Sequence, residues 1–551
     1  MRILTFLALA AALSAAEQTT EQRVDAAFNA FNKPDSPGCA LAVLKDGRIA
    51  YQHAYGQADL SYDIANSPST IFHTASISKQ FTAAAVILLA LDGKLSLDDQ
   101  VRKYIPELPD YGAPLTIRHL IYQTSGLRDQ FNLLGLNGWR NGADLYTEAD
   151  VLSIAFRQKH LNYVPGQHHS YSNTNYSLLG LIVKRVSGQS LREFTSARIF
   201  GPLGMKHSFF RDDHTEIVKN AAVGYAPKGK GFMLSGPQYD TVGPSGLLSS
   251  VLDFALWDEN FYKPVVGGPA FVREMLQRGK LADGTQLEYA AGLQVTTYRG
   301  LPMVGHSGGD PGYRGDVIRF PEQHFSVVCF CNTVGVRPDV LTRKVADIYL
   351  SAAMKPAATV VSKDAPVIPE AKLRSLAGLY WNHEGDEVRR VSVRDGKLFI
   401  TPSGSTQAVI PTGENTFLGS GANPIEFRFE PVSGSARPRL VDIRALSDPQ
   451  IFMPAEEFKP TAEDLKQYAG RYHGEELDPV YTIAVKAGKL YFIRDKFPDA
   501  EMKPTVRDVI SGNGRDLRFV RDPDGKVTGL ILSQPRTWGI RLTKLSGSEL
   551  K

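Results

Sequence analysis

The sequence predicts an α+β first domain, a sheet covered by helices, followed by two small all-β modules that resemble barrels. Three observations lead there. Strand signals stand at both ends of the stretch up to Lys355, with helical segments between them. A proline-punctuated stretch follows, with Pro356, Pro366 and Pro369, and reads as a domain linker. Beyond it the sequence repeats itself at an offset of ~90 residues, in short alternating segments broken by turns.

Taken along the chain, Ala40 to Leu44 and Arg48 to Tyr51 flank Asp46-Gly47, a hairpin signature. Phe81 to Leu91 is rich in Ala and Leu and stops before Gly93, as a helix does. Tyr176 to Val186 is a second apolar helix, stopped at Gly188, and Phe325 to Cys331 is a buried strand. In the tail, Ala377-Gly378-Leu379-Tyr380 matches Ala469-Gly470-Arg471-Tyr472. Gly396-Lys397-Leu398-Phe399 matches Gly488-Lys489-Leu490-Tyr491 at the same offset, and Phe427-Arg428-Phe429 matches Leu517-Arg518-Phe519 with a small slip. Val391 and Val393, like Ile483 and Val485, carry the period of two expected of strands. Closing each module into a barrel removes exposed strand edges. The expected division is 1–16 for an export signal, 17–355 for the first domain, 356–370 for the linker, and 371–455 and 463–546 for the modules. Nothing in the modules carries a catalytic pattern.

At 551 residues the chain exceeds one ordinary core. Its 43% apolar and 22% charged residues are ordinary for a globular protein. A net charge of +4 with no basic run argues against a nucleic-acid partner. Met1-Arg2, the apolar Ile3 to Ala12 and the small Ser14-Ala15-Ala16 read as a secretory signal, so the protein is expected to be exported, periplasmic or secreted. That apolar run is shorter than the ~20 residues of a spanning helix, and no stable membrane span is expected. Oligomeric state is not legible. The three cysteines, Cys39, Cys329 and Cys331, leave at least one thiol unpaired. Cys329 and Cys331 read first as buried strand residues on one face, and no cysteine cluster reads as a metal site.

Ser76-Ile77-Ser78-Lys79 stands at the start of the Phe81 to Leu91 helix. Positions i and i+3 are neighbours there, so the Lys79 amine can lie beside the Ser76 hydroxyl. The helix start favours negative charge, such as a developing oxyanion. A serine hydroxyl needs a base, and lysine serves once its pKa is lowered. The pair alone decides nothing, because Ser548-Glu549-Leu550-Lys551 matches it by accident. Two further segments follow in order: Pro165-Gly166 through Tyr171-Ser172-Asn173, and Gly305-His306-Ser307-Gly308-Gly309. The last also fits G-x-S-x-G, with Ser307 as an alternative nucleophile, but that elbow needs a helix directly after the serine. Gly309-Asp310-Pro311-Gly312 does not start one. His168 and His169 are adjacent and point opposite ways on an extended segment, so they read as structural.

In this order the three segments resemble those of the serine β-lactamase and penicillin-binding protein family, the class C β-lactamases with their D-aminopeptidase and D,D-peptidase relatives, over about residues 20–350. The Leu115-Thr116-Ile117-Arg118-His119-Leu120 through Thr124-Ser125-Gly126-Leu127 stretch is similar too, with Gln123 where a histidine is common. The resemblance implies a β-lactamase-like fold with an antiparallel sheet. It implies Ser76 as nucleophile, Lys79 and Tyr171 as its proton acceptors and donors, and Asn173 orienting the substrate amide. His306, Ser307, Gly308 and Gly309 would wall the cleft, with the backbone N–H groups of Ser76 and Gly309 as the oxyanion hole. His306 replaces the lysine of typical β-lactamases and is only partly charged near neutral pH. No metal or organic cofactor is implied. The expected activity is acyl transfer from a small peptide, lactam or ester substrate, with a D-aminopeptidase or D,D-carboxypeptidase first. An esterase or weak class C-like β-lactamase is the alternative, and a non-turnover sensor of penicillins or cell-wall peptides is the rival of another class.

Overall fold

The computed structural model describes residues 18–356, 366–401, 406–419, 425–444 and 448–546. The expected export signal, the middle of the proline-rich stretch and the second S-x-x-K match at Ser548 lie outside the described residues.

Six antiparallel strands form the central sheet: β1 (Cys39–Lys45), β2 (Arg48–Tyr55), β3 (Gln294–Tyr298), β4 (Leu301–Asp310), β5 (Tyr313–Phe320) and β6 (Phe325–Cys331). Their order is β3-β4-β5-β6-β1-β2, so the N-terminal hairpin pairs with strands formed almost three hundred residues later. Alternation along β1 assigns the two faces. Cys39, Leu41 and Val43 face helices α1 (Thr20–Phe28) and the C-terminal helix of the domain (Pro338–Leu350). Ala40, Ala42 and Leu44 join the larger core beneath α2 (Lys79–Leu91) and α3 (Asn173–Ser187). Helix α2 is apolar all round because it is buried all round, its Lys79–Leu89 segment being buried throughout. This is the β-lactamase-like α+β layering.

Cys39 and Cys331 stand opposite each other in register across β1 and β6 and form a disulfide. Cys329 is a buried free thiol, its Sγ 3.7 Å from that of Cys331. The strand assignment and shared face hold; the pairing was invisible in sequence because its partners are 292 residues apart.

Each tail module opens on a short helix, Glu370–Leu376 or Ala462–Tyr468, followed by a strand, Gly378–Asn382 or Gly470–His473. The repeat has a physical purpose at its tyrosine. Tyr380 donates to the carbonyl of Leu376 and Tyr472 to that of Tyr468, each at 2.7 Å, pinning helix to strand in both copies. The second module is a closed eight-stranded barrel. The first is a nine-stranded sheet whose end strands, Gln407–Ala408 and Ile410–Pro411, are separated by Val409 alone, so it is nearly closed.

The modules meet the first domain differently. The second shares one apolar cluster with it, Leu133, Tyr146 and Ile154 packing with Leu477, Tyr481 and Leu532. A buried pair, Arg128 to Glu476 at 2.8 Å, sits beside that cluster. The first module keeps its own core, around Tyr380, Phe429 and Phe452. It touches the first domain through Asp448 and Glu384, each 3.1 Å from a ring nitrogen of the half-buried His168.

Candidate active site

Ser76 occupies a short 3₁₀ turn, Ala75–Ser78, that runs directly into α2. Ala75, just before it, holds φ at +51°, a conformation unusual for a residue with a side chain. Ser78 secures the turn: its hydroxyl donates to the Ala75 carbonyl (2.6 Å) and accepts from the Leu247 N–H (3.0 Å). The turn tips Ser76 into a cleft of about 1090 Å³, which Tyr171, Asn173, His306, Ser307 and Gly309 also line.

Lys79 lies one turn along, fully buried. Its Nζ is 3.2 Å from Ser76 Oγ, 2.8 Å from Asn173 Oδ1 and 2.7 Å from the Pro244 carbonyl. Burial pulls its pKa down from 10.5 to about 7, against the attraction of Asp310 and Asp129. Two of its three partners are acceptors only. A neutral amine, with two N–H bonds, satisfies those two and turns its lone pair toward Ser76.

The Asn173 orientation is set by Asp129, whose Oδ2 accepts from both the Asn173 N–H and Nδ2, each at 2.8 Å. Asn173 Oδ1 therefore faces Lys79. With both ends of its amide engaged, Asn173 is tied to the lysine, where the sequence pointed to the substrate amide. The Tyr171 ring centroid is 4.6 Å from Lys79 Nζ, and its hydroxyl faces the Ser76 side chain. Burial pushes the Tyr171 phenol far up, so it stays protonated.

On β4, residues alternate as the pleat requires. His306 is buried, and that burial, with the Lys79 charge beside it, lowers its pKa to about 4. It is thus uncharged at neutral pH, further from a cation than the sequence implied. Gly308 is obligatory: a Cβ there would lie 2.3 Å from the Thr74 carbonyl and 3.2 Å from the Ser76 nitrogen. The strand passes that close to the serine turn. Ser307 donates to Asp316 Oδ1 at 2.5 Å and lies mid-strand with no helix following, which removes the nucleophile-elbow geometry.

Gln123 also finds a reason. Buried, with φ at +61°, its Oε1 accepts from the Ser172 N–H (2.9 Å) and Asn175 Nδ2 (2.5 Å), so it fastens the Tyr171 segment to the loop before it. His168 and the His169 N–H both bond Asp448, a contact between domains.

Sequence reasoning missed three contributors. Asp129 follows the recognised Thr124-Ser125-Gly126-Leu127 stretch and carried no signal of its own. Asp310 Oδ2 is enclosed by His73 Nε2 (2.8 Å), Tyr239 (2.9 Å) and Ser245 (2.5 Å), which hold it ionised in the cleft wall. Arg536, from the second module, reaches over Tyr171, 4.9 Å from its ring centroid. Among the described residues, groupings with metal-ligand geometry occur only at Cys39, Cys329 and Cys331 and at Asp213, His214 and Asp240; neither lines the cleft.

A family model described as Beta-lactamase matches residues 17–350. A D-aminopeptidase of Brucella anthropi is 27% identical over 523 residues, covering 90% of this chain and 93% of that protein. One from Brucella canis is 26% identical over 525 residues, covering 92% and 96%. Among solved structures, an octameric penicillin-binding protein homologue from Pyrococcus abyssi superposes with a TM-score of 0.55 at 25% identity, covering 79% of this chain and 99% of that one. A D-amino acid amidase from Ochrobactrum anthropi shares the fold, with a TM-score of 0.52 at 20% identity over 60% of this chain and 98% of that one. With the family model spanning well over half of its length and an S-x-x-K serine at the cleft floor, the chain belongs to the beta-lactamase family and is a serine hydrolase of the acyl-transfer type.

Proposed function

We propose that the protein is an exported D-amino-acid peptidase that works through an acyl-enzyme on Ser76. The observation that carries the mechanism is the coordination of Lys79. With a pKa of about 7, two acceptor-only partners and Ser76 as the third, its neutral form is a base aimed at one hydroxyl. Ser76 Oγ attacks the carbonyl carbon and Lys79 takes its proton. The charged oxygen of the tetrahedral adduct meets the N–H groups of Ser76 and Gly309, each such donor contributing about 3 kcal/mol. Tyr171, always a phenol, passes the proton from Lys79 to the leaving nitrogen, and the C–N bond breaks. Water then releases the acyl group by the same route reversed.

The D-amino-acid substrate class rests on relatives: both the Brucella D-aminopeptidases, matched over nine-tenths of this chain, and the D-amino acid amidase carry it in their names. An uncharged His306 stands where typical β-lactamases carry a lysine, which favours a peptidase over an efficient β-lactamase. The Cys39–Cys331 disulfide supports export into an oxidising compartment. The test is a panel of a D-alanyl dipeptide, a D-amino-acid anilide, a chromogenic cephalosporin and nitrophenyl esters, with Ser76→Ala alongside. Turnover of the D-substrates should fall by about 10⁴-fold or more in the variant. Unchanged turnover in Ser76→Ala would sink the assignment, and a burst of one equivalent without turnover would return the protein to a binder.

A further inference from the structure

The roof of the cleft is built by a turn from near the chain's C-terminus. Strands β7 (Val527–Gln534) and β8 (Thr537–Lys544) of the second module form a hairpin in which Gln534 pairs with Thr537, leaving Pro535-Arg536 as its turn. Arg536 holds φ at +66°, at a position where such turns take glycine or asparagine. An arginine there runs against the local preference of the turn. The backbone is anchored: the Arg536 carbonyl accepts from the Asp129 N–H and from Asn162 Nδ2, both at 3.1 Å, and the Pro535 carbonyl accepts from Asn132. The residue that orients Asn173 thus also seats this turn.

The guanidinium of Arg536 lines the cleft, stacked over Tyr171, and makes no ion pair or hydrogen bond among the described residues. Among the other charges there, all but that of Arg314 are answered. Asp310 is enclosed by three donors, Glu387 pairs with Arg389, and Glu384 and Asp448 share His168. Arg444 reaches Asp442. Arg314, beside Gly309, spends one guanidinium nitrogen on the carbonyls of Asp310 and Tyr313. His306 is uncharged. The cleft therefore offers an unanswered positive charge, and it offers it beside Tyr171. Tyr171 is the group that hands a proton to the leaving nitrogen, so Arg536 lies on the leaving-group side of the scissile bond. In an amino-acid leaving group the carboxylate carbon is two bonds from that nitrogen. A guanidinium placed there meets it with a forked pair of N–H donors.

We propose that Arg536 recognises the free α-carboxylate of the leaving residue, so that the preferred substrate is a D-peptide cleaved at its C-terminal residue. This rests on the acyl-enzyme reading of Ser76 and specifies its substrate. The chemistry balances: the peptide C–N bond breaks, the amine departs as a free amino acid with the proton that left Ser76, and one water converts the acyl-enzyme to the new C-terminal acid.

The test compares N-acetyl-D-alanyl-D-alanine with its C-terminal carboxamide, which differ only in that charge. In the full-length protein kcat/KM should favour the acid by tenfold or more, and added salt should erode the preference. Arg536→Gly, which suits the turn's φ, should collapse the acid-to-amide ratio by at least tenfold, mainly through KM, and Arg536→Lys should restore part of it. A ratio near one in the unaltered protein, or the same ratio in Arg536→Gly, overturns the inference. So does a D-amino-acid anilide with a free amine turning over faster than either dipeptide, or cleavage of neither dipeptide alongside Ser76-dependent ester hydrolysis. Ser76→Ala run in parallel separates the two failures. If it loses all turnover while the ratio stays flat, only the role of Arg536 falls; if it loses none, the acyl-enzyme reading falls.

Discussion

The two tail modules repeat one sequence pattern, down to the tyrosine that pins helix to strand, yet they join the first domain on opposite terms. The second is continuous with it: one apolar cluster spans both, and Arg128 reaches Glu476 where neither side chain meets water. The first keeps its own buried cation, Arg389 between Glu387 and Asp442, inside its own core, and offers the cleft a partly exposed rim. A duplicated unit has thus been divided between a structural partner that is continuous with the first domain and reaches over the site, and a wall that borders it. The lesson is that similarity between repeats predicts the fold of each copy and says nothing of how it is attached.

The largest effect should come from the shared interface. Arg128→Ala leaves the Glu476 carboxylate buried without its cation and should cost about 3–5 kcal/mol, read as one cooperative loss of melting temperature and of activity. Arg389→Ala creates the same uncompensated burial inside the first module, also about 3–5 kcal/mol, but should split the thermal transition, the first module melting early. A single shared transition in both variants would break the contrast.

Next comes the electrostatic reach of each module into the site. The rise of kcat/KM with pH should have its midpoint at about 7, where Lys79 loses its proton and gains the lone pair it needs. Arg536 is among the charges that hold that value down, so Arg536→Gly should move the midpoint upward. No group of the first module is among those charges, and Glu384→Gln should leave the midpoint in place. Lys79 also titrates stability: between about 7 and 10.5 the unfolded chain holds a proton that the folded one lacks, so stability should rise with pH across that window.

The smallest effect belongs to the rim. Asp448 foremost, with Glu384, raises the His168 pKa above its usual 6.5, against partial desolvation. The contact is therefore fully present below 6.5 and fades as pH rises through the raised value. His168→Gln should cost less than about 1 kcal/mol, because the pair is partly solvated. It should also abolish the alkaline increase in hydrogen exchange expected over residues 378–401.

The local parts of this molecule were legible in sequence. Ser76 and Lys79 are three apart on one helical face, the Tyr171 segment carries its own turn and helix, and β4 carries its glycines, so each announces itself within a dozen residues. What escaped was what distance assembles. Asp129 matters because Asn173 folds onto it, and Arg536 because a turn from another module lands on Asp129. The preference of Asn173 for Lys79 follows from that same contact. The two barrels were visible through their period of two and their turns, whereas their unequal seating depends on side chains more than two hundred residues apart.

The order of strands in the central sheet sets a schedule for making the protein. The β1–β2 hairpin is synthesised first, but its neighbour β6 ends at Cys331, 292 residues after Cys39. At ~5–20 residues per second, the ribosome needs about 15–60 s to supply it. For that time the Ala40-Leu41-Ala42-Val43-Leu44 edge, apolar and free of charge, waits beside an unpaired thiol with no strand to cover it. The nascent chain therefore has a defined interval, and a defined five-residue segment, in which it most needs a chaperone.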